Sequence, residues 1–232
     1  MLTPARRRGL EILDDPRVDP AVRLESMGDV ARSNRWLGGL RAASSELKGV
    51  LGRHPPDEPA TLLDVGTGLA DIPHEAARAA RDLGIGLTTI GLDGAATVLV
   101  EARRRASCVV CASALALPFA DRSIDVVMCS QLLHHFPEDD ATRVIRELDR
   151  VARRAVIVSD LQRSWIAAAG FWLVSFPLRF HRVTRHDGVV SVLRGFTPRE
   201  LRDLVRDAVA TVPVITRRPG FRLTARWRPA AA

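Results

Sequence analysis

A glycine-rich turn in this chain has acidic residues on both sides. The stretch Leu62–Pro73 reads LLDVGTGLADIP and places Gly66 and Gly68 between Asp64 and Asp71. Glycines allow a backbone to approach a ligand closely, and such a turn opening a helix often holds a nucleotide phosphate. Carboxylates on both sides of the turn would repel a phosphate and attract a cation. The charges favour a cationic cofactor, while the alternative for Asp71 is a plain helix cap.

A further carboxylate, Asp93, follows 25 residues after Gly68. At the end of a strand it can accept both hydrogen bonds of a ribose diol. NAD and S-adenosylmethionine both carry such a diol, so Asp93 by itself does not separate them. S-adenosylmethionine also carries a sulfonium and an ammonium, which suit the acidic turn. We therefore predict S-adenosylmethionine as the cofactor, and a nucleotide-dependent oxidoreductase is the alternative.

Histidines supply the candidate bases for proton removal from an acceptor. His134 and His135 follow a predicted strand, and imidazole titrates near neutral pH. Asp160 ends another predicted strand, where it can orient a histidine or bind the acceptor. His186 stands further on in HDG, whose glycine predicts a turn. The alternative for the histidines is a packed or solvated loop position.

Strands and helices alternate from residue 61 onward, which predicts a parallel, doubly wound sheet that would hold these residues at one edge. The predicted strands are Thr61–Val65, Leu87–Asp93, Cys108–Ala112, Ile124–Ser130 and Ala155–Asp160. The predicted helices among them are Asp71–Leu83, Ala95–Arg105 and Asp139–Val151.

The end of the chain predicts one more helix and a hairpin. Pro198 opens a helix that runs to about Val209. Val212–Thr216 and Arg222–Trp227 flank a Pro-Gly pair, which predicts antiparallel strands. The predicted fold class is α/β, a doubly wound and mostly parallel seven-stranded sheet with an antiparallel C-terminal hairpin strand.

The chain divides by composition into three parts. Residues 1–53 show helical periodicity and no strand signal, and 54–60 read as a Pro-rich linker. Residues 61–232 form the predicted main domain, with an insertion at 161–196. We expect the helical segment 1–53 and the insertion to cover an acceptor, because ligands bind at the carboxyl ends of parallel strands.

Taken together, the motifs resemble those of the class I S-adenosylmethionine-dependent methyltransferases. The resemblance rests on VGTGLADIP, GLD, ASALALPFADRSIDVV and SQLLHHF, in this order, and covers residues 61 to about 161. The sequence is most similar to the small-molecule branch that includes the ubiquinone and menaquinone biosynthesis methyltransferases. The resemblance implies a seven-stranded sheet whose last strand is antiparallel.

The resemblance also implies which residues contact the cofactor. The glycine turn would line the methionine end, with Asp71 near the amino group, and Asp93 would bind the ribose. Residues after the third and fourth strands would flank the adenine. The full set is Asp64, Gly66, Thr67, Gly68, Asp71, Asp93, Gly94, Ser113, Ala114, Gln131 and Leu132.

Two positions depart from the family pattern. Ala70 stands where many members have a third glycine, and Ser113 stands where an aspartate usually accepts from the adenine amino group. A serine hydroxyl can accept that bond without the charge, so cofactor affinity is expected to fall. These departures support a second alternative, a catalytically degenerate binding protein that keeps the fold.

The acceptor is predicted to be a small lipophilic molecule. The LHH element and Asp160 resemble those of natural-product O-methyltransferases, and Trp165–Phe180 is an apolar segment suited to a lipophilic phenol or quinol. We therefore favour O-methylation over C-methylation, in secondary metabolism or quinone biosynthesis. An ordinary core helix is the alternative for Trp165–Phe180.

The bulk composition bears on partners and location. The formal charge is +7 and Lys48 is the only lysine, but the arginines are scattered, so no nucleic-acid partner is expected. Cys108, Cys111 and Cys129 form no disulfide framework, and no metal site is predicted. This cysteine usage indicates a reducing, cytoplasmic location. Contact with a membrane surface and the oligomeric state are left open.

Overall fold

The computed structural model describes residues 3–7, 9–15, 17–55 and 57–230 and contains one seven-stranded sheet. The strand order is β3-β2-β1-β4-β5-β7-β6, in which β7 alone runs in the direction opposite to the other six strands. This confirms the predicted fold class. The strands are β1 Ala60–Val65, β2 Leu87–Asp93, β3 Cys108–Cys111, β4 Ile124–Ser130, β5 Ala152–Leu161, β6 Val214–Arg218 and β7 Arg222–Trp227.

Helices cover both faces of the sheet and its carboxyl edge. They are α1 Pro20–Trp36, α2 Gly39–Leu51, α3 Asp71–Asp82, α4 Ala96–Ala102, α5 Glu138–Val151, α6 Trp165–Ser175, α7 Arg182–Arg194 and α8 Pro198–Val209. Short 3₁₀ turns occupy Ile12–Asp14 and Leu133–His135. The predicted insertion therefore contains α6 and α7, and the N-terminal segment contains α1 and α2.

The core lies on both sides of the central strands. β4 is apolar almost throughout because parallel strands are covered on both faces. On one face α5 buries Val144, Ile145 and Leu148, whose spacing gives a single apolar stripe. On the other face α2 contributes Leu47 to a second cluster. This packing holds the carboxyl ends of β1, β2, β4 and β5 in a fixed row.

Two strands, β5 and β6, depart from their predicted bounds by more than one residue, whereas the other strands differ by one residue at most. β5 begins at Ala152, three residues early, since Arg153 and Arg154 reach the Asp125 carboxylate on β4. β6 is Val214–Arg218, since its register pairs Arg218 with Arg222 across the turn. Charge pairing and register are set between strands, so local composition did not reveal them.

The start of α3 differs from the helix-cap alternative for Asp71. Ala70 occupies the cap position in the left-handed region with φ 57°, and no side chain caps this helix end. Asp71 is the first helical residue, and its carboxylate forms an ion pair with Arg105.

The N-terminal segment crosses α7 and lies over the carboxyl edge. The amides of Ile12 and Leu13 donate to the carboxylate of Asp187, at 2.8 and 2.9 Å. The Arg7 amide donates to the Leu193 carbonyl at 3.2 Å. Among the described residues, no helix combines the length and apolar content needed to cross a bilayer.

Candidate active site

A cavity of about 750 Å³ opens at the carboxyl edge of the sheet. The loops that follow three neighbouring parallel strands form its floor, as expected for an open α/β sheet. Gly66 and Gly68 follow β1, Asp93 ends β2, and Gln131 and Leu132 follow β4. The N-terminal segment, α1, α6 and α7 form the remaining walls.

The glycine turn packs closely against the neighbouring loop. Gly66 has φ +75°, and a Cβ there would lie 2.8 Å from Leu132 Cδ2. The amide of Gly68 donates to Asp93 Oδ2 at 3.0 Å, and the amide of Ala95 donates to Asp93 Oδ1 at 3.0 Å. Asp93 therefore joins the loops after β1 and β2 while its carboxylate lines the cavity.

Asp64 is buried under the glycine turn with half of its carboxylate unpartnered. Its Oδ2 accepts from the Thr67 hydroxyl at 2.8 Å, whereas Oδ1 has no hydrogen-bond partner among the described residues. Burial, together with the charges of Asp93 and Asp71, raises the pKa of Asp64 to about 7. An unpartnered buried carboxylate oxygen fits a nearby cationic group better than a phosphate.

The structure gathers part of the predicted cofactor set at the cavity. Asp64 and Thr67 are buried and bonded to each other, as described above. Other members lie off the cavity walls: Asp71 is paired with Arg105, and the Ser113 hydroxyl accepts from the Leu115 amide at 3.2 Å. The members that line the cavity are Gly66, Gly68, Asp93, Gln131 and Leu132, and the members that do not are Asp64, Thr67, Asp71, Gly94, Ser113 and Ala114.

His134 and Asp160 form a buried pair beside the cavity. His134 Nδ1 lies 2.6 Å from Asp160 Oδ1, and the His134 amide donates to Asp160 Oδ2 at 3.2 Å. Burial alone would raise the pKa of Asp160, but the charge and hydrogen bond of His134 hold it below its ordinary value. Because an ionised carboxylate can only accept, the proton of a neutral His134 ring lies on Nδ1.

The other ring nitrogen of His134 is free to act. Nε2 is buried and has no hydrogen-bond partner among the described residues, and His134 lines the cavity. Its nearest carboxylate oxygen is Glu11 Oε1, at 4.0 Å. A lone pair held by a fixed tautomer and unused by the protein can accept a proton from a bound molecule.

His135 belongs to a charged cluster formed with the N-terminal segment and α7. Its Nδ1 lies 3.2 Å from Asp14 Oδ1 and 3.6 Å from Glu11 Oε2. Arg194 donates to Glu11 Oε1 at 3.1 Å and to Asp14 Oδ2 at 3.0 Å. Burial would lower the pKa of His135, but Asp14 and Glu11 raise it above its ordinary value. A raised pKa favours the protonated ring, which cannot accept a proton, so His134 is the better candidate for the base.

Three residues of this cluster were not predicted from the sequence: Glu11, Asp14 and Arg194. Glu11 and Arg194 are separated by more than 180 residues and share no local pattern. The ligand atoms of Glu11, His134 and His135 lie within 4.8 Å of one another, a spacing that suits a metal ion. Arg194 already supplies a cation to Glu11 and lies 3.4 Å from His135 Nδ1, so the guanidinium neutralises this cluster.

A buried arginine that lines the cavity, Arg222, was also not predicted. Arg222 on β7 donates to Gln131 Oε1 at 2.5 Å, and Gln131 in turn donates to Asn34 on α1. Burial lowers the pKa of Arg222 to about 10, against the opposing charge of Asp160. Arg222 therefore fixes Gln131, the predicted cofactor residue after β4, to the N-terminal helix.

His186 lies apart from the cavity, and the predicted turn around Gly188 is wrong. Residues 186–188 belong to α7, where His186 is half exposed and its Nδ1 lies 2.8 Å from Asp187 Oδ1. Gly188 is required instead by packing, because a Cβ there would lie 2.0 Å from the Phe171 ring. Asp187 lines the cavity and holds the N-terminal segment.

Apolar side chains form the upper walls of the cavity. They come from the N-terminal segment, α1, β5 and α6, and the first two of these also contribute polar side chains such as Arg23 and Asn34. Representative members are Leu13, Val30, Leu161, Ile166, Phe171 and Val174. Such walls suit an apolar acceptor above a polar floor.

The sheet order and the glycine turn at its carboxyl edge define a Rossmann-like methyltransferase fold. Residues 63–158 match the profile of a family described as "Methyltransferase domain". For this part of the chain, the match supports the predicted class. Its small-molecule branch stays a prediction. No curated protein sequence matches the chain significantly.

Solved structures share the fold at low sequence identity. An S-adenosylmethionine-dependent methyltransferase from Aquifex aeolicus is 15% identical, with a TM-score of 0.60, covering 92% of this chain and 100% of that one. The Burkholderia thailandensis 1,6-didemethyltoxoflavin-N1-methyltransferase is 18% identical, with a TM-score of 0.56 and coverages of 94% and 93%. Magnesium protoporphyrin IX methyltransferase from Synechocystis, crystallised with S-adenosylmethionine, is 15% identical, with a TM-score of 0.56 and coverages of 83% and 80%.

Proposed function

We propose that this protein transfers a methyl group from S-adenosylmethionine to a hydroxyl of a small lipophilic, phenolic or quinol-like molecule. One observation carries the proposal: a single cavity is lined by the glycine turn, by apolar walls and by His134, whose buried Nε2 has no hydrogen-bond partner in the part of the chain that the structure describes. The turn suits the donor, the imidazole suits an acidic hydroxyl, and the walls suit an apolar ring.

The cofactor is S-adenosylmethionine, and the residues of the floor fit it. When bound, it supplies an electrophilic methyl group on a sulfonium. Asp93 offers carboxylate oxygens to a ribose diol, and Asp64 offers a negative charge to the ammonium side. Gly66 and Gly68 carry no side chains, so their backbone can lie close to the cofactor. Gln131 and Leu132 would continue the wall beside the adenosine.

The protein's own chemical contribution is removal of one proton. His134 Nε2 would accept the hydroxyl proton of the acceptor, which leaves a more nucleophilic oxygen. Asp160 holds the ring in the required tautomer and stabilises the imidazolium that forms. The remainder of the rate enhancement is expected to come from the alignment of donor and acceptor within the cavity.

The acceptor's class follows from the cavity walls and from proton chemistry. Apolar residues of the N-terminal segment and the insertion would enclose a ring, in line with the proposal that 1–53 and 161–196 cover the acceptor. A phenolic hydroxyl titrates within reach of an imidazole, which favours O-methylation over C-methylation. Two of the structural neighbours are named for small-molecule substrates, a porphyrin and a toxoflavin precursor.

Calorimetry with S-adenosylhomocysteine, followed by turnover on a panel of phenols and quinols, tests the proposal. We expect binding by the native protein and by His134→Ala alike. We also expect His134→Ala to lower turnover by about 100-fold or more, as for loss of a general base. Absence of binding at millimolar concentration would remove the cofactor, and unchanged turnover would remove His134 as the base.

The same experiment separates the alternatives. Binding of S-adenosylhomocysteine without turnover on any acceptor supports a degenerate binding protein, an outcome that the exposed Ser113 favours. Preferential binding of NAD(H) supports an oxidoreductase. The acidic turn around Asp64 opposes that outcome, because it would repel a pyrophosphate.

A further inference from the structure

One stripe of α6 exposes large apolar side chains to solvent. Trp172, Leu173 and Phe176 are 49%, 61% and 46% exposed, although each is bulky and apolar. Apolar side chains recur at helical spacing along the helix and form one continuous stripe. Its members, hereafter the α6 stripe, are Trp165, Ile166, Ala169, Trp172, Leu173 and Phe176.

The opposite face of α6 packs against the rest of the protein. Ala168 and Ser175 are buried there, and Phe171 packs over Gly188 of α7. Single exposed apolar residues are common on protein surfaces, whereas a contiguous stripe with two tryptophans and a phenylalanine marks an interaction site. The helix is therefore held by one face and presents the other to a partner.

Arginines surround the α6 stripe, and no acidic residue accompanies it in sequence. From Leu161 to His186 the chain has no Asp or Glu. The guanidinium of Arg7 lies 5.1 Å from the Trp165 ring centre, and that of Arg185 lies 3.8 Å from the Phe176 ring centre. Arg179 lies between α6 and α7, Arg182 begins α7, and both are exposed. The surface thus combines an apolar stripe with positive charge.

We propose that the α6 stripe docks onto an anionic lipid bilayer. Tryptophan and arginine at the edge of an apolar stripe match the headgroup region, and α6, at 11 residues, is too short to span a bilayer. It would lie in the plane of the interface with its apolar face inward. A second copy of the chain is a poorer occupant, because it would bring the same arginines against each other.

The docked orientation would also serve the acceptor, a consequence that rests on the proposed function. Ile166 and Val174 are partly exposed and also line the cavity wall. The mouth of the cavity therefore lies beside the α6 stripe. A lipophilic acceptor dissolved in the bilayer could reach the cavity without crossing water.

Vesicle flotation tests the docking directly. The probes are vesicles of phosphatidylcholine alone and vesicles containing phosphatidylglycerol. We expect the native protein to float with the anionic vesicles and to stay below the neutral ones. The triple variant Trp172→Ser, Leu173→Ser, Phe176→Ser should reduce the bound fraction about tenfold or more, because it removes most of the insertable surface. Arg179→Gln with Arg182→Gln should weaken binding and reduce its salt dependence.

The control substitutes exposed apolar residues outside α6. Val100→Ser with Val212→Ser removes side chains that are 63% and 69% exposed and should leave flotation unchanged. Failure of the native protein to float, or equal flotation of the triple variant and the control, overturns the proposal. A lipid-free dimer in sedimentation velocity that the triple variant dissociates would overturn it in favour of a second copy.

This outcome is independent of methyl transfer. S-adenosylhomocysteine binding and circular dichroism verify that each variant is folded, and flotation is measured without cofactor or acceptor. If the protein floats with anionic vesicles but binds no S-adenosylhomocysteine, the proposed function is contradicted and the docking proposal stands.

Discussion

The most informative residue is His134, because its two ring nitrogens have different surroundings. Nδ1 is held by Asp160, whereas Nε2 is buried and has no hydrogen-bond partner among the residues that the structure describes. An unpaired buried acceptor costs stability unless something uses it. Either histidine of the LHH element could have been chosen from sequence. Their surroundings separate them, since Asp14 and Glu11 raise the pKa of His135, whereas Asp160 fixes Nδ1 of His134.

Replacing Asp160 tests the orientation of this ring. Asp160→Asn removes the ionised acceptor at Nδ1, so the imidazole loses its fixed tautomer and turnover should fall by about 100-fold. S-adenosylhomocysteine affinity should stay within about twofold by calorimetry, since Asp160 does not line the cavity.

His186→Ala is the matched control for Asp160→Asn. His186 was also a predicted catalytic residue, but it is half exposed and lies off the cavity wall. Its removal should leave turnover nearly unchanged. A large loss with His186→Ala and a small one with Asp160→Asn would reverse the assignment of the base.

Asp64 predicts a pH dependence of cofactor affinity. With its pKa raised to about 7, the carboxyl is increasingly neutral as the pH falls below 7. The ammonium group of S-adenosylhomocysteine prefers the ionised carboxyl, so the affinity for this ligand should be higher at pH 8 than at pH 6. Calorimetry across this range measures the effect.

Asp64→Asn is the control for the pH dependence. It keeps the shape and cannot titrate, so its affinity should be lower and flat with pH. A native protein with equal affinity at pH 6 and pH 8 would show that Asp64 does not face the cation.

At the scale of elements, α6 and α7 meet in a close contact beside the upper wall of the cavity. Gly188 leaves room for the Phe171 ring, which also lines the cavity. The sequence predicted a turn at Gly188, because glycine is far more common in loops than at helix positions that contact a neighbouring ring. The central strands and α8 were predicted closely, since their apolar runs and caps are local signals.

Gly188→Ala should disturb that contact. The new Cβ would overlap the Phe171 ring and force it to move, with an expected loss of about 1–3 kcal/mol in the free energy of unfolding. Thermal and denaturant unfolding measure the loss. Gly28→Ala in α1 is the matched control, because nothing lies within 4 Å of its Cβ position, and it should stabilise by about 0.5–1 kcal/mol. Equal effects would show that Phe171 does not constrain α7.

At the scale of the whole molecule, the sheet order brings remote segments to one edge. The loops after β1, β2 and β4 form a polar floor, and the N-terminal segment and insertion place apolar walls above it. The domain limits drawn from composition remain a proposal, as does the reducing location indicated by the cysteines. The N-terminal segment is attached through Asp187 and Arg194, so the two covers act as one unit.

Local patterns in the sequence determined the sheet, its antiparallel hairpin, the glycine turn and the class of domain. Apolar periodicity, caps and the order of motifs are encoded within a few residues, so they can be read without contacts. The tertiary structure alone decided which residues form the site. It joined Glu11 to Arg194, left the buried Nε2 of His134 without a hydrogen-bond partner among the described residues, and set Asp71 and Ser113 apart from the cavity. These outcomes depend on distances between residues far apart in the chain, which no local pattern specifies.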